Sequence, residues 1–63
     1  MNYIDLYDAI VFDGDSDKAI AIIKAGEVDI NEPDEEGNTL IYQAELAGLD
    51  DVVQALIAAG AKQ

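Results

Sequence analysis

The 63-residue chain contains no cysteine, histidine, tryptophan or arginine. Without cysteine there is no disulfide and no thiolate, and without histidine the commonest metal ligand and general base is missing. Its single serine and single threonine have no basic residue beside them to activate a nucleophile. None of the five glycines falls in a G-x-G-x-x-G phosphate loop. We therefore expect a protein that is not an enzyme and that uses no cofactor and no metal.

Long apolar runs are also missing. No stretch approaches the roughly 18 residues of a membrane span, and no basic segment precedes an apolar one as in a signal peptide. The apolar fraction of 51% argues against disorder. We expect one small, cytoplasmic domain of marginal stability, because a chain of this length buries only about 60% of its unfolded surface.

Positive charge is scarce, since 14 acidic residues face three lysines for a net charge of −11. Such a field repels nucleic acids and anionic membranes and attracts basic protein surfaces. We therefore expect a protein partner and neither nucleic acid nor membrane. The same charge also serves simply to keep a small apolar domain in solution, and the sequence leaves both interpretations open.

Apolar residues at helical spacing predict four short helices. These are expected at residues 3–13, at Asp17–Ala25, near residues 40–47 and from Asp50 onward. Asp15 or Ser16 is a plausible N-cap of the second helix, and Thr39 of the third. On the first helix the side opposite the core is less polar than expected. Residues 27–38 are rich in turn formers and predict a connector without a helix.

Several features of the first half recur 34 residues later. Gly14 corresponds to Gly48, Ala19 to Val53, Ile22-Ile23 to Leu56-Ile57, and Gly26 to Gly60. This period is close to the roughly 33 residues of an ankyrin repeat. The segments Asp34-x-x-Gly37-x-Thr39 and Asp29-Ile30-Asn31 also resemble motifs of that family, and the chain as a whole resembles two ankyrin repeats.

The resemblance implies an all-α solenoid of two helix-turn-helix repeats, about 3–33 and 34–63, joined by a hairpin-like finger loop. Two departures stand out. The family's T-P-L-H segment is Thr39-Leu40-Ile41-Tyr42 here, which lacks both the proline and the histidine. The segment Gly26-Glu27-Val28-Asp29 carries one residue more than the family's G-A-D.

The resemblance also implies where a protein partner binds, namely on the finger and on the inner helices. The candidate contact residues are Phe12, Asp13, Glu35, Glu36, Asn38, Tyr42, Leu46 and Ala47. They suit a partner with an aliphatic anchor surrounded by lysine or arginine. In the alternative interpretation Leu46 packs under the finger and Phe12 closes the core.

A second candidate surface is an uncovered repeat face, because solenoids normally need three or more repeats with polar caps. The candidate self-association residues are Val52, Val53, Leu56 and Ile57. The sequence leaves open whether this face forms a homodimer, docks on another protein or marks a piece of a longer array. Two other functions also stay open: an acidic inhibitor or immunity-type protein that imitates nucleic acid, and a structural or designed fragment.

The segment Asp13-Gly14-Asp15-Ser16-Asp17 resembles the start of a calcium loop. An EF-hand also needs glycine at position 6 and glutamate at position 12, which are Lys18 and Lys24 here. We therefore interpret the segment as a turn that caps a helix. The acidic run at residues 34–36 is interpreted as a solvated loop tip.

Overall fold

The computed structural model describes residues 1–62, and this part of the chain forms four helices and no strand. The helices are α1 (Tyr3–Val11), α2 (Ser16–Ala25), α3 (Leu40–Leu46) and α4 (Asp50–Ala58). The predicted all-α class and the predicted connector at residues 27–38 are confirmed. Gln63, the end of the predicted second repeat, lies outside the described residues.

Side chains cap three of the four helix N-termini. Asn2 and Asp5 form a reciprocal capping box at α1, and the Asp15 and Thr39 side chains accept backbone N–H groups of α2 and α3. These contacts satisfy amides that have no partner inside the helix. Of the two candidates for the α2 cap, the structure therefore selects Asp15. No side chain caps α4, whose first turn instead carries Asp50 and Asp51.

The second helix of each half ends in the same way. Gly26 follows α2 with φ 74° and Gly60 follows α4 with φ 98°, both in the left-handed region that favours glycine. The N–H of each glycine donates to a carbonyl three residues earlier, at Ile23 (3.2 Å) and Ile57 (3.0 Å). The 34-residue period of the sequence is therefore a period of local structure as well.

The helices pack as two hairpins. Helix α1 packs on α2 across the loop at residues 12–15, and α3 packs on α4 across residues 47–49. Between the hairpins, α1 contacts α3 and α2 contacts α4, whereas α1 makes no contact with α4 and α2 none with α3. The hairpins thus stand side by side, with their first helices adjacent and their second helices adjacent.

All four helices contribute to one hydrophobic core. Its buried residues are Leu6, Ala9, Ile10, Ala19, Ile22, Ile23, Leu40, Ile41, Ala44, Val52, Val53 and Leu56. Several of them pair across the period, such as Leu6 with Leu40 and Ile22 with Leu56. No polar or charged residue is buried within the described chain. Neither hairpin keeps a core of its own, so the two must fold together.

Candidate functional site

Residues 34–38, here called the finger, are organised by one carboxylate. The Asp34 side chain accepts the backbone N–H groups of Glu36 (2.9 Å) and Asn38 (2.8 Å) and the side-chain amide of Gln43 (2.9 Å). The backbone closes the loop, since Gly37 N–H donates to the Asp34 carbonyl and Asp34 N–H donates to the Asn38 carbonyl, each at 2.9 Å. The finger is therefore anchored to α3 and presents its two exposed residues, Glu35 and Glu36, outward.

These contacts also hold the charge of Asp34. The backbone N–H of Asn38 contributes most, followed by the Gln43 amide and the backbone of Glu36 and Gly37, and together they lower the pKa of Asp34 below its ordinary value of 3.8. Desolvation acts in the opposite direction and is outweighed. At neutral pH the finger is thus built around an ionised carboxylate.

Opposite the finger, α1 carries a row of aromatic rings. The rings of Tyr3 and Tyr7 stack with centroids 6.1 Å apart and an interplanar angle of 28°. Phe12 meets Tyr7 edge-on at 6.3 Å. Tyr3 and Tyr7 are half-buried, whereas Ile4 beside them is 64% exposed. This row accounts for the apolar outer side of the first helix that the sequence showed.

A groove of about 530 Å³ lies between the aromatic row and the acidic segment, and we call it the α1–finger groove. Its lining residues are Tyr3, Ile4, Tyr7, Glu32, Pro33, Asp34, Glu35 and Glu36. The volume lies within the range of small-ligand sites, roughly 300–1,000 Å³. Apolar groups therefore form one wall, and four carboxylates lie on the other.

The groove contains a polar atom without a partner. The hydroxyl oxygen of Tyr3 is buried and has no hydrogen bond within the described chain. Buried hydroxyls are normally bonded, because burying one unpaired is costly. The pKa of Tyr3 is raised, first by burial and then by the negative charges of Asp34 and Glu32. Burial and the acidic residues of the finger, Asp34 foremost, also raise the pKa of Tyr7.

The sequence-predicted contact residues are accessible, with one exception. Phe12, Asp13, Glu35, Glu36, Tyr42, Leu46 and Ala47 are exposed, and Asn38 is half-buried. Asn38 is held back because both its N–H and its carbonyl bond Asp34. Phe12 is 74% exposed and Leu46 66% exposed, so neither closes the core or packs under the finger. Their role in binding stays a prediction.

The four candidate self-association residues do not form one exposed face, which corrects that expectation. Val52, Val53 and Leu56 lie in the core, and only Ile57, at 36% exposure, reaches the surface. The reason is that α4 packs against both α2 and α3, which together cover most of its apolar stripe.

Sequence reasoning identified Glu35 and Glu36 but did not identify the α1–finger groove around them. Tyr3, Ile4 and Tyr7 were assigned only to the first helix, and Glu32 and Pro33 only to the connector. The excess of apolar residues on the outer side of that helix was the one signal that pointed to a surface role. About 30 residues separate the two walls, so the sequence alone did not bring them together.

Metal and membrane sites were also sought in residues 1–62. No group of three acidic residues is placed to hold a metal ion. In the segment that resembles a calcium loop, the Asp15 carboxylate accepts the backbone N–H of Lys18 at 3.1 Å and so serves as the α2 cap. Over the same range no helix is long and apolar enough to cross a bilayer.

The surface charge is almost unneutralised. Within residues 1–62 the one ion pair joins the amino group of Met1 to Glu27 at 3.2 Å, and both partners are largely exposed. We therefore expect added sodium chloride to stabilise the fold, because like charges repel and salt screens them over about 10 Å at 0.1 M. Thermal unfolding at neutral pH should show a midpoint several degrees higher at high salt than at low salt.

The gain from salt should shrink as the pH approaches the isoelectric point of about 4.1, where the net charge vanishes. An equal gain at both pH values would show that screening of self-repulsion is not its cause.

No protein-family model, no curated protein and no solved structure matches this chain. Its function is therefore argued from its own residues. The two features available to a ligand are the exposed apolar residues near the ends of α1 and α3 and the α1–finger groove.

Proposed function

We propose that this chain is a binding module of the ankyrin-repeat type that acts by protein–protein contact and not by catalysis. The side-by-side hairpins support the proposal, because in a repeat solenoid each unit contacts its neighbour through equivalent elements. The matching glycine ends of α2 and α4 support it as well. Under this proposal residues 3–33 and 34–63 are the two repeats.

The partner-binding surface consists of the finger together with α1 and α3. The observation that carries this assignment is the exposure of Phe12, Tyr42 and Leu46 on a strongly acidic domain. Large apolar side chains left in water are candidates for anchors in a partner's pocket, and acidic residues around them steer a basic partner. We therefore expect a partner that combines lysine or arginine with an apolar spot.

A homodimer is the weaker candidate. Ile57 is the one member of the predicted self-association set that is exposed. Two copies that each carry a net charge of −11 also repel one another. Light scattering over a concentration series at low and high salt determines the mass directly, and a doubled mass at low salt would contradict this ranking.

The binding surface is tested by adding a charge where an anchor is expected. Phe12→Arg and Leu46→Arg should each weaken partner binding by at least about tenfold, because a charge then meets the pocket that an apolar side chain filled. The partner would be isolated by crosslinking to the wild-type chain, purified, and measured by calorimetry.

The matched control is Gln54→Arg, which places the same charge at an exposed position of α4 away from this surface. It should bind within about twofold of wild type. Equal affinity of all three variants would contradict the proposed surface, provided that circular dichroism shows each to be folded.

The second candidate is an acidic inhibitor that occupies the basic groove of a nucleic-acid enzyme. The near absence of ion pairs in the described chain favours it, since the carboxylates stay available to a cationic groove. Binding should then fall steeply with salt, as many charges are neutralised at once. Binding that changes little with salt but is lost in Leu46→Arg would exclude the inhibitor in favour of the binding module.

A further inference from the structure

We propose that the α1–finger groove receives an arginine side chain of the partner. This inference rests on the proposed function, because it names the chemistry by which a basic partner would be recognised. It adds a site that lies beside the predicted anchors and includes residues not among them, chiefly Tyr3, Tyr7 and Glu32.

The aromatic wall provides the first half of the argument. Tyr3 and Tyr7 are stacked on one another, and Phe12 supports Tyr7 from its edge. The electron-rich face of an aromatic ring attracts a cation, and a planar guanidinium stacks on such a face more readily than an ammonium group does. The half-buried rings are held in place by their neighbours, so little ordering is needed when a ligand arrives.

The acidic wall provides the second half. Glu32, Asp34, Glu35 and Glu36 line the same groove. Within the described chain none of them forms an ion pair, and Asp34 is already occupied by hydrogen bonds of the finger. The other three carboxylates are therefore available to the N–H groups of a guanidinium, which can bind a carboxylate through two parallel hydrogen bonds.

The Tyr3 hydroxyl gives the groove a further polar demand. It is buried at the groove without a partner, and its oxygen can accept an N–H. Arginine has five N–H donors in a fixed plane, enough to serve carboxylates and a hydroxyl together.

Other ligand classes fit less well. An anion would meet four carboxylates, and a neutral apolar ligand would remove them from water without compensation. A bare metal ion is disfavoured, since no group of three acidic residues within residues 1–62 is placed to hold one. The combination of aromatic faces, carboxylates and an unpaired acceptor is what selects an organic cation.

The test uses three short Gly-Ser peptides that differ at one central residue: arginine, lysine or citrulline. Citrulline has nearly the shape of arginine but no charge. Each peptide is titrated into the full chain labelled with ¹⁵N and ¹³C, and binding is followed by nuclear magnetic resonance. This method measures weak binding and assigns it to residues.

We expect the arginine peptide to produce saturable shifts of the Tyr3 and Tyr7 ring signals and of the Glu35 and Glu36 amides. The lysine peptide should bind severalfold more weakly, and the citrulline peptide at least about tenfold more weakly. Equal binding of the lysine and arginine peptides, or full binding of the citrulline peptide, would overturn the assignment.

Two variants and two matched controls locate the site. Tyr7→Leu removes a ring face but keeps an apolar side chain, and Glu36→Gln removes one charge from an exposed position. Each should weaken arginine binding by severalfold or more. Tyr42→Leu and Glu45→Gln make the same changes at exposed positions outside the groove and should leave the affinity unchanged. Equal effects of variants and controls would overturn the proposal.

The outcomes also separate this inference from the proposed function. Shifts spread evenly over all acidic residues would reject the groove while leaving a charge-steered binding module intact. Localised arginine binding together with partner affinity that ignores Phe12→Arg and Leu46→Arg would support the groove and reject the proposed anchor surface.

Discussion

Leu40→Ala is expected to leave most of the protein unfolded at room temperature. Leu40 is the first residue of α3, has no exposed surface and belongs to the core that joins both hairpins. Removing a buried leucine side chain costs about 2–5 kcal/mol, because apolar contacts are lost and a cavity remains. A core in a domain of this size rarely supplies more than about 3–5 kcal/mol in total. The loss is therefore comparable to the whole free energy of unfolding.

Circular dichroism with urea titration measures this effect, and the same helix offers a matched control. Leu46→Ala makes an identical substitution at the last residue of α3, where the side chain is 66% exposed. It should change the free energy of unfolding by no more than about 0.5 kcal/mol. Equal losses for the two variants would show that Leu40 is not the core residue described above.

Asp34→Ala is expected to loosen the finger and with it the α1–finger groove. The substitution leaves the backbone N–H groups of Glu36 and Asn38 and the side-chain amide of Gln43 without their acceptor. We expect the thermal midpoint to fall by several degrees and hydrogen exchange at the Glu36 and Asn38 amides to accelerate at least tenfold, by the usual relation of opening energy to exchange.

Glu35→Ala is the control, since Glu35 is exposed on the same loop and its side chain accepts none of these hydrogen bonds. It should leave both the thermal midpoint and the exchange rates close to those of wild type. If Asp34→Ala behaved in the same way, the central role of Asp34 in the finger would be wrong.

The contribution of Asp34 should also depend on pH in a defined direction. Its pKa is lower in the folded state than the ordinary 3.8, so the folded protein binds the proton less readily than the unfolded chain does. By linkage, the stabilisation is fully present above the unfolded pKa and is lost as the pH falls through the lower, folded pKa.

The measurement is the difference in unfolding free energy between wild type and Asp34→Asn at a series of pH values. The other acidic residues titrate in both proteins, so the difference reports on position 34. This gap should be constant at neutral pH and should narrow below about 3.8. A gap that stayed constant throughout the acid range would show that the ionised form of Asp34 is not what holds the finger.

What the sequence alone determined is mainly local. The four helices, the Thr39 cap, the glycine helix ends and the 34-residue period all follow from interactions between residues a few positions apart. Such interactions are written in spacing and residue type, which is why the all-α class could be predicted. Helix bounds were less certain by about two residues, because the chain after Val11 leaves the helix through backbone bonds to Asp8.

Burial within the period was decided by the tertiary structure. Ile23 and Ile57 occupy equivalent positions, yet Ile23 is 5% exposed and Ile57 36% exposed. The face of the first hairpin that meets the second is covered, whereas the equivalent face of the second hairpin meets no further one in the described chain. Sequence equivalence therefore predicted a common stripe but not which part of it would be used.

The α1–finger groove was likewise decided only by tertiary structure. Tyr3 and Tyr7 belong to the first turns of the chain, and Glu32 to Glu36 belong to the connector roughly 30 residues later. No local pattern joins them. They meet because α1 packs beside α3 and the Gln43 amide on α3 holds the finger through Asp34. The sequence supplied the aromatic rings and the carboxylates, and packing of the helices placed them on opposite walls of one groove.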